Sequence, residues 1–471
     1  MSIKIKNFGP ISEAEVEIRP LTIIVGKNNL GKSYLAQLLH AYLITRLQFL
    51  RPYWHYGSTY DYSDLPSYLI FSNLNIEEVK NTLSECRSNS YSLKETVNEV
   101  VINIVHQIER RINLLFKNAI EQIFSLPIGE LVNANARRSI INFKMYDNLT
   151  VRLMLKKDNS INIKTNINKK SITMQVSKFI EENNIKLNDL RKTKEIEMLM
   201  NKIFSYAIPI SNGILEKTQN SLYIPAGRSG LLESYEVIQA AYNQLGTASS
   251  ISRGINIPPL SGTSSQFYNI YLKMSTRPGP YQFTTFDFQN IMSGDVLFIQ
   301  DPYQNGFRKI VYRHKIGSKI HQIDLRHSAS MIKELAPIYF IIKNLAKKES
   351  TIIIEEPESH LHPGAQAKLL EIFIKVVKEK LNLIITTHSD ILLRKLSNCI
   401  GLYKINKINS AFIDPSLIHI YLIKENSDLN IVLENVEISE YEIESLPTFD
   451  DILKELYEEE IEISEKIQVK G

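Results

Sequence analysis

The sequence predicts an α/β fold in which buried strands end in polar turns that carry charged side chains. Three stretches of the 471-residue chain support this prediction. Residues 21–25 run into a glycine-rich turn and a helix, residues 351–357 end in two carboxylates, and residues 383–387 end at His388. Because buried parallel strands read as continuous apolar runs, we expect these three strands in one mixed sheet flanked by helices.

The turn after the first run has the spacing Gly26-x-x-x-x-Gly31-Lys32-Ser33 of a P-loop. Its glycines let backbone N–H groups approach phosphate oxygens, and the helix that begins at Lys32 directs its positive end at them. Lys32 adds a full charge, and the Ser33 hydroxyl is a typical Mg²⁺ ligand. A chance glycine turn is the alternative, but the preceding strand and following helix favour nucleotide binding. The predicted ATP-binding residues here are Gly26, Lys27, Asn28, Asn29, Leu30, Gly31, Lys32 and Ser33.

The bulk composition is that of an ordinary globular protein, with 44% hydrophobic and 23% charged residues. A chain of this length is too long for one compact core, so we expect two lobes plus extensions. No apolar run reaches the roughly 18 residues of a membrane helix, and the N-terminus lacks the apolar segment of a signal peptide. Because Cys86 and Cys399 form neither a disulfide framework nor a metal cluster, the predicted location is the cytoplasm.

Charge is unevenly distributed along the chain. Residues 434–465 contain thirteen acidic residues and one lysine, so they carry a charge near −12. Because the whole chain carries +4 and residues 466–471 add +2, residues 1–433 carry about +14. A basic body permits a polyanionic partner such as DNA, with which the acidic tail would compete. An acidic solvated helix on a mildly basic protein is the simpler interpretation.

Between the P-loop and the second apolar run, the pattern changes to long helices and short strands. Ser92 and Glu95 form a capping box, and apolar residues then recur every three or four positions, which predicts a helical hairpin or short coiled-coil arm. Residues 140–165 alternate as a small meander. We therefore predict four segments: an N-terminal part with the P-loop (1–40), an α+β insertion (41–205), a C-terminal part (206–425) and an acidic extension (426–471).

Two adjacent carboxylates follow the strand at residues 351–355, which is the Walker B arrangement that accompanies a P-loop. Because successive strand side chains point to opposite sides, Glu355 would support Mg²⁺ while Glu356 orients or deprotonates the attacking water. His388, after the next buried strand, can hydrogen-bond the γ-phosphate. The alternatives are a strand that merely ends at a polar turn and a structural histidine.

Two further stretches have weaker signals. Residues 225–229 form a turn after a short strand, and its Arg228 belongs either at the edge of the nucleotide site or in a solvent-exposed turn. Residues 245–285 are rich in Ser, Gly, Pro and Thr, which predicts a loop or lid. Neither stretch identifies a ligand by itself.

Four strings, at residues 26–33, 328–337, 352–363 and 386–390, together resemble an ABC-superfamily ATPase head. The Glu-Glu-Pro-Glu-x-x-Leu-His-Pro string and the Thr-His-Ser-Asp string are specific, and they are most similar to the SMC/RecF-like group that includes OLD-related, AAA-labelled prokaryotic ATPases. The resemblance implies an ABC-type P-loop NTPase fold that binds ATP and Mg²⁺. It also implies hydrolysis between two heads that face each other as a homodimer.

The resemblance assigns roles to single residues. It implies that Lys32 and Ser33 bind phosphate and Mg²⁺, that Glu355 supports the metal, that Glu356 is the catalytic glutamate and that His388 is the switch histidine. It further implies that Ser330, at the start of a helix over residues 331–346, is the signature serine that meets the partner's γ-phosphate. The string lacks the usual Gly-Gly after this serine, so Ser328 is an alternative, and no Q-loop glutamine can be placed.

The sequence also limits the biological roles that such ATPase heads could have. OLD-type relatives carry a TOPRIM nuclease after the head, whereas the 83 residues after His388 contain no Asp-x-Asp, so no nuclease is expected. We expect an ATPase whose head dimerisation drives DNA-related or anti-phage defence work with DNA or a separately encoded effector protein. The alternative is an ATP-clamped regulatory dimer that gates an effector with negligible turnover.

Overall fold

One mixed sheet of eleven strands forms the centre of the structure, which is a computed structural model. The described residues are 2–50, 75–146, 149–186, 190, 193–207, 220–234, 262–272, 279–300, 308–405, 411–439, 442–443 and 457–461. The strands are β1 (Ser2–Phe8), β2 (Ile11–Glu17), β3 (Leu21–Gly26), β4 (Arg138–Tyr146), β5 (Leu149–Lys156), β6 (Ile161–Ile167), β7 (Ser221–Ile224), β8 (Asp295–Gln300), β9 (Arg308–Ile316), β10 (Lys319–Asp324), β11 (Thr351–Glu355), β12 (Asn382–Thr387), β13 (Ile418–Glu425), β14 (Ile431–Val436), β15 (Ile438–Ser439) and β16 (Glu442–Ile443). The order across the large sheet is β6-β5-β4-β1-β2-β14-β13-β3-β12-β11-β7, and β8, β9 and β10 form a separate antiparallel sheet.

Helices cover both faces of the large sheet. They are α1 (Lys32–Leu50), α2 (Ile76–Ser88), α3 (Leu93–Phe124), α4 (Lys169–Glu182), α5 (Thr193–Ala207), α6 (Gly262–Leu272), α7 (Thr285–Met292), α8 (Ser330–Phe340), α9 (Pro363–Lys378) and α10 (Asp390–Lys404). Side chains that alternate along β3 separate two cores, since Ile24 packs with α1 and α3 whereas Ile23 and Val25 pack with α8, α9 and α10. The predicted α/β fold, a mixed sheet flanked by helices, is confirmed.

The centre of the sheet is parallel. Strand β3 runs parallel to both β13 and β12, and β11 runs parallel to both β12 and β7. Every residue of β3 and β11 is buried, as the continuous apolar runs predicted. The carboxyl ends of β3, β12, β11 and β7 therefore meet at one edge of the sheet.

The other half of the sheet is largely antiparallel and contains strands from distant parts of the chain. Strands β4, β5 and β6 confirm the predicted meander, but β4 also pairs with β1, so the meander extends the sheet of the N-terminal hairpin. The sequence pattern did not predict this pairing. Strand β14, within the predicted acidic extension, also joins the sheet beside β2. The four-segment division itself remains a prediction.

Helix α3 begins with the predicted capping box, because Ser92 accepts from the backbone N–H of Glu95 and the Glu95 carboxylate accepts from that of Ser92. Its apolar stripe packs against α1 in the core below β1 and β4, with Ile104 and Phe116 fully buried. The predicted helical hairpin is present, because α2 and α3 are joined by residues 89–92 and pack against each other, but the alternative of a coiled-coil arm is wrong for α3. An apolar stripe on a helix shows that this face is buried but does not identify the surface that covers it, and here that surface is the core of the same domain.

Several other expectations have mixed outcomes. Residues 262–272 form α6, so the predicted loop or lid is wrong there, and the predicted helix over residues 331–346 is α8 followed by a π-helical turn at Ile341–Leu345. Residues 245–261 and most of the acidic tail lie outside the described residues. No helix among the described residues combines the length and apolar character needed to cross a membrane.

The packing of β4 against α1 and α3 leads to a test. Phe143 is fully buried, and its ring stacks on Tyr42 (centroids 5.1 Å apart) and Phe116 (4.9 Å). Phe143→Ala should reduce the free energy of unfolding by about 3–5 kcal/mol, because it leaves a cavity that the two rings cannot fill. Urea denaturation followed by circular dichroism measures the shift in midpoint.

A surface substitution provides the control for this measurement. Ile320 on β10 is 67% exposed, so Ile320→Ala should change stability by no more than about 0.5 kcal/mol. If Phe143→Ala behaves like Ile320→Ala, the meander does not share its core with α1 and α3.

Candidate functional site

The P-loop connects β3 to α1 at the edge where the parallel strands end. Gly31 has a φ of +97°, and a Cβ atom there would lie 2.6 Å from Cγ of Pro10, so both conformation and space require glycine. A Cβ atom on Gly26 would lie 2.5 Å from the backbone oxygen of Ile423. The loop therefore packs closely against its neighbours, and the N-terminus of the 19-residue α1 starts directly behind it.

Lys32 is the charged group of this loop, and its side chain is buried. Its Nζ donates hydrogen bonds to the backbone oxygens of Gly26 (2.8 Å) and Lys27 (2.9 Å). Burial lowers the pKa of Lys32, while the charges of Glu356, Glu358 and Glu355 oppose this shift, in that order. The ammonium group therefore lies within the electrostatic reach of the Walker B carboxylates, which is where a P-loop lysine is expected.

The two predicted Walker B carboxylates have different surroundings. Glu355, the last residue of β11, is buried and accepts hydrogen bonds from the Tyr223 hydroxyl (2.5 Å) and the backbone N–H of Ala226 (3.1 Å). Burial, together with the Glu355 charge, raises the pKa of Tyr223 well above its usual range, so the phenol remains a proton donor. The Glu356 side chain is one-third exposed. One carboxylate is thus fixed within the protein, and the other faces solvent.

His388 lies beside Glu356, as the sequence predicted. Its Nδ1 lies 3.8 Å from a Glu356 carboxylate oxygen and 3.5 Å from Oε1 of Glu358, and nearly half of the ring is exposed. The predicted pair of side chains therefore comes from the ends of two adjacent strands, β11 and β12.

The sequence analysis assigned no role to Glu358, which the structure places under the histidine. Glu358 is 4% exposed, and its Oε1 accepts hydrogen bonds from the Thr387 hydroxyl (2.6 Å) and the backbone N–H of His388 (2.9 Å). Its Oε2 has no hydrogen-bond partner among the described residues. An acid directly after the Glu-Glu-Pro turn was the available signal, since such a turn can fold back to the neighbouring strand. We use the name Walker B turn for residues 355–358.

Arg228 was one of the open questions of the sequence, and the structure answers part of it. Its side chain is fully buried and donates to the backbone oxygens of Glu355 (2.7 Å) and Glu356 (2.9 Å). The interpretation of Arg228 as part of a solvent-exposed turn is therefore wrong. The guanidinium lies behind the Walker B turn, where the backbone rather than a ligand uses its donors.

The two candidate signature serines differ in accessibility. Ser330 is exposed and is the first residue of α8, whereas the Ser328 hydroxyl is buried and donates to the backbone oxygen of Leu325 (2.6 Å). In the described part of the chain, no hydrogen bond joins the Ser330 side chain to the P-loop residues. The accessible hydroxyl at a helix N-terminus makes Ser330 the better candidate of the two.

The groups present fit ATP with Mg²⁺. Ser33 is exposed at the end of the P-loop, and among the described residues each oxygen of Glu355, at the end of β11, accepts one hydrogen bond, so both side chains offer hard oxygen ligands. The described residues form no cluster of three or more metal-ligating His, Cys, Asp or Glu side chains. Mg²⁺ in nucleotide sites keeps waters and phosphate oxygens as most of its ligands.

A cavity of about 410 Å³ lies beside the first turn of α1. Pro10 and Tyr34 line the side next to the P-loop, and the amide side chains of Asn133, Asn135 and Asn430 line other sides. Amides both donate and accept hydrogen bonds, as the edge of a purine base does. This open groove, which Glu130 also lines, lies next to the phosphate-binding turn and is the candidate place for a nucleotide base.

Comparisons with known proteins find one matching family and several similar solved structures. A family model described as an AAA ATPase domain matches residues 1–393. Similar solved structures include an Smc head bound to the C-terminal winged-helix domain of ScpA (11% identity, covering 93% of this chain and 97% of that chain, TM-score 0.40). Another is an Smc head with an extended coiled coil from Pyrococcus furiosus, bound to the C-terminal domain of ScpA (13% identity, covering 97% of this chain and 98% of that chain, TM-score 0.38). A third is an SMC head from Thermotoga maritima (11% identity, covering 93% of this chain and 98% of that chain, TM-score 0.34). A search of curated proteins finds no match.

The fold and the P-loop define a protein of the nucleotide-binding P-loop class. The chain belongs to the AAA ATPase domain family, because the family model covers more than four-fifths of its length. The predicted resemblance to AAA-labelled ATPases is confirmed at this level.

The contacts of Glu358 lead to a prediction for ATP turnover. Glu358→Ala removes the acceptor that holds Thr387 and the backbone of His388, so the imidazole should shift, and a shift of about 1 Å can reduce kcat by about 10²-fold. Glu358→Gln retains a carbonyl oxygen that can accept both bonds, so it should keep most of the activity. Steady-state kinetics well below the unfolding temperature measures both variants, and equal kcat values for Glu358→Ala and wild type would contradict the positioning of His388.

Proposed function

We propose that the chain is an ATPase that binds ATP with Mg²⁺ at the P-loop and hydrolyses it between two copies of the chain. The observation that carries this proposal is the convergence at one sheet edge of the P-loop, a buried carboxylate (Glu355), an exposed carboxylate (Glu356) and His388. They come from the ends of three strands, with the P-loop after β3, the two carboxylates at the end of β11 and His388 after β12, and together they supply the groups that phosphoryl transfer needs.

Binding involves the P-loop and the metal ligands. The backbone N–H groups of residues 26–33 and the N-terminus of α1 surround the β- and γ-phosphates, and Lys32 exchanges its two carbonyl partners for phosphate oxygens. Ser33 and Glu355 hold Mg²⁺, which when bound neutralises charge that develops on the transferring phosphoryl group. The cavity lined by Asn133 and Asn430 receives the base.

Hydrolysis involves the two exposed groups. The carboxylate of Glu356 faces solvent 3.8 Å from His388, so it can orient a water molecule and accept its proton as the water attacks the γ-phosphate. His388 donates a hydrogen bond to a γ-phosphate oxygen, and Glu358 holds its backbone in place. Glu355 cannot replace Glu356 as the base, because two hydrogen bonds fix it inside the protein.

A second copy of the chain completes the site. Ser330 is exposed at the N-terminus of the 11-residue α8, so its hydroxyl and the helix dipole can bind a phosphate outside its own P-loop. The γ-phosphate held by a partner copy is a ligand of this kind. Two heads would therefore enclose two ATP molecules, with one Ser330 at each.

Head dimerisation would then drive DNA-related or anti-phage defence work, with DNA or a separately encoded effector protein as the partner. The charge of about +14 on residues 1–433 supports a polyanionic partner. One observation favours a regulatory dimer with negligible turnover instead, since Met331-Ile332 replaces the flexible Gly-Gly next to the signature serine. Turnover that rises with DNA, and binding that weakens steeply with salt, would favour the first role.

Removing the proposed base tests the reaction. Glu356→Gln should retain ATP binding and reduce kcat by about 10²-fold or more, because an amide cannot accept the proton of the attacking water. The variant should also accumulate as an ATP-dependent dimer, since the bound nucleotide is no longer consumed. Phosphate release and size-exclusion chromatography with light scattering, each with and without ATP·Mg²⁺, measure the two effects.

Two further variants make the result interpretable. Lys32→Ala should lose ATP binding and dimerisation together, while Glu85→Gln, an exposed glutamate on α2, should behave like wild type. A Glu356→Gln variant with wild-type turnover would show that another group is the base. If wild type hydrolyses no ATP but dimerises with it, the regulatory role is correct.

A further inference from the structure

The side chain of Arg228 is wholly buried, and its guanidinium connects three segments of the chain. Nη1 donates hydrogen bonds to the backbone oxygens of Pro225 (3.1 Å) and Glu355 (2.7 Å), and Nη2 donates to that of Glu356 (2.9 Å). Nε donates to the backbone oxygen of Glu334 (3.1 Å) and lies 2.8 Å from its Oε2. One planar cation therefore joins the 225–229 turn, the Walker B turn and α8.

Glu334 is also fully buried, and it connects Arg228 to the N-terminal end of α8. Its Oε1 accepts a hydrogen bond from the backbone N–H of Ser229 (3.0 Å), so both carboxylate oxygens contact the 225–229 turn. Residues four apart lie on the same helix face, about 6 Å apart along the axis, so Glu334 follows Ser330 by one turn. A displacement of α8 at Ser330 therefore reaches Glu334 through one rigid helical turn.

The backbone of Glu356 needs support from its surroundings. Its φ is +43°, in the left-handed region that residues with a Cβ seldom adopt. Its N–H donates to the backbone oxygen of Thr386 (2.9 Å), and its carbonyl accepts from Arg228. These two contacts fix the peptide groups on either side of the Glu356 Cα atom, so the direction of the carboxylate depends on where Arg228 holds that carbonyl.

We propose that Arg228 is a positioning residue that couples Ser330 to Glu356 within one copy of the chain. The inference rests on the function proposed above. When Ser330 meets the nucleotide of the partner copy, the displacement of α8 passes through Glu334 and Arg228 to the carbonyl of Glu356 and orients its carboxylate for hydrolysis. Each copy then hydrolyses its own ATP only after its α8 has contacted the ATP of the other copy, so turnover depends cooperatively on ATP.

Arg228→Lys is the principal test, because lysine keeps the charge but lacks the planar fork that holds four backbone carbonyls and a carboxylate. At a temperature where the variant is folded, we expect kcat to fall by about tenfold or more, with KM for ATP within about twofold of wild type. ATP-dependent dimerisation should remain. The Hill coefficient for ATP should fall from above one in wild type to about one, because the link between the two sites is broken. Wild-type kcat and Hill coefficient in this variant would overturn the inference.

A second ion pair between α8 and the segment that follows Arg228 provides a control. Glu233, five residues after Arg228, pairs with Lys333 of α8, and among the described residues neither side chain forms a hydrogen bond or ion pair with the Walker B turn. Glu233→Gln therefore loosens α8 without touching Glu356, so kcat and the Hill coefficient should remain at the wild-type values. If Glu233→Gln reduces kcat as much as Arg228→Lys, anchoring of α8 explains the effect, and the coupling is wrong.

A double-mutant cycle separates coupling from independent roles. If Arg228 transmits the contact of Ser330, then Ser330→Ala combined with Arg228→Lys should reduce kcat no further than the stronger single variant. Additive effects would overturn the proposal.

If Arg228→Lys does not fold, Glu334→Gln interrupts the same link from α8 and should reduce kcat and the Hill coefficient in the same way. A wild-type protein without ATP turnover contradicts the proposed function, whereas normal kinetics of both Arg228→Lys and Glu334→Gln contradicts only the coupling.

Discussion

The site depends on one constraint, which is the parallel register of four neighbouring strands. Val25 at the end of β3 pairs with Thr387 of β12, Thr386 pairs with Glu355 of β11, and Ile354 pairs with Ile224 of β7. Because parallel strands present their carboxyl ends at one edge, the P-loop, His388, the Walker B turn and the turn of Arg228 all follow strand ends that lie side by side. A shift of one residue in any pair would move a charged group into the core.

The same register brings opposite charges together in a buried place. Glu355, Glu358 and Glu334 are almost inaccessible, and the buried cations next to them are Lys32 and Arg228. Burial lowers the pKa of both cations. The charges of Glu356, Glu358 and Glu355 oppose this shift at Lys32, and those of Glu334, Glu358 and Glu355 oppose it at Arg228, so the charges stabilise one another. The two cations nevertheless differ in use. Lys32 donates hydrogen bonds to two carbonyls of its own loop, which phosphate oxygens can replace, whereas Arg228 donates four hydrogen bonds to backbone oxygens that hold the fold together.

The groups that the sequence revealed are those whose signal is local. Glycine spacing defines the P-loop, and the apolar runs before Glu355 and His388 define buried strands, so these features could be found without knowing any tertiary contact. Arg228 and Glu358 could not be assigned, because their partners lie far away in sequence: Glu334 is 106 residues from Arg228. The pairing of β1 with β4 was missed for the same reason, since alternation predicts a strand but not its neighbour.

The Arg228–Glu334 pair is explained by geometry more than by stability. A buried ion pair is often no more stabilising than apolar side chains of the same volume, so packing alone does not require these charges. An apolar side chain would fill the space but would leave the carbonyls of Glu355 and Glu356 unpaired, which is costly in a buried site. Those carbonyls lie there because Glu356 adopts a left-handed conformation that turns its carboxylate toward solvent and His388. A guanidinium has enough donors in one plane to hold this turn and α8 at the same time, which is why the residue behind the Walker B turn is an arginine.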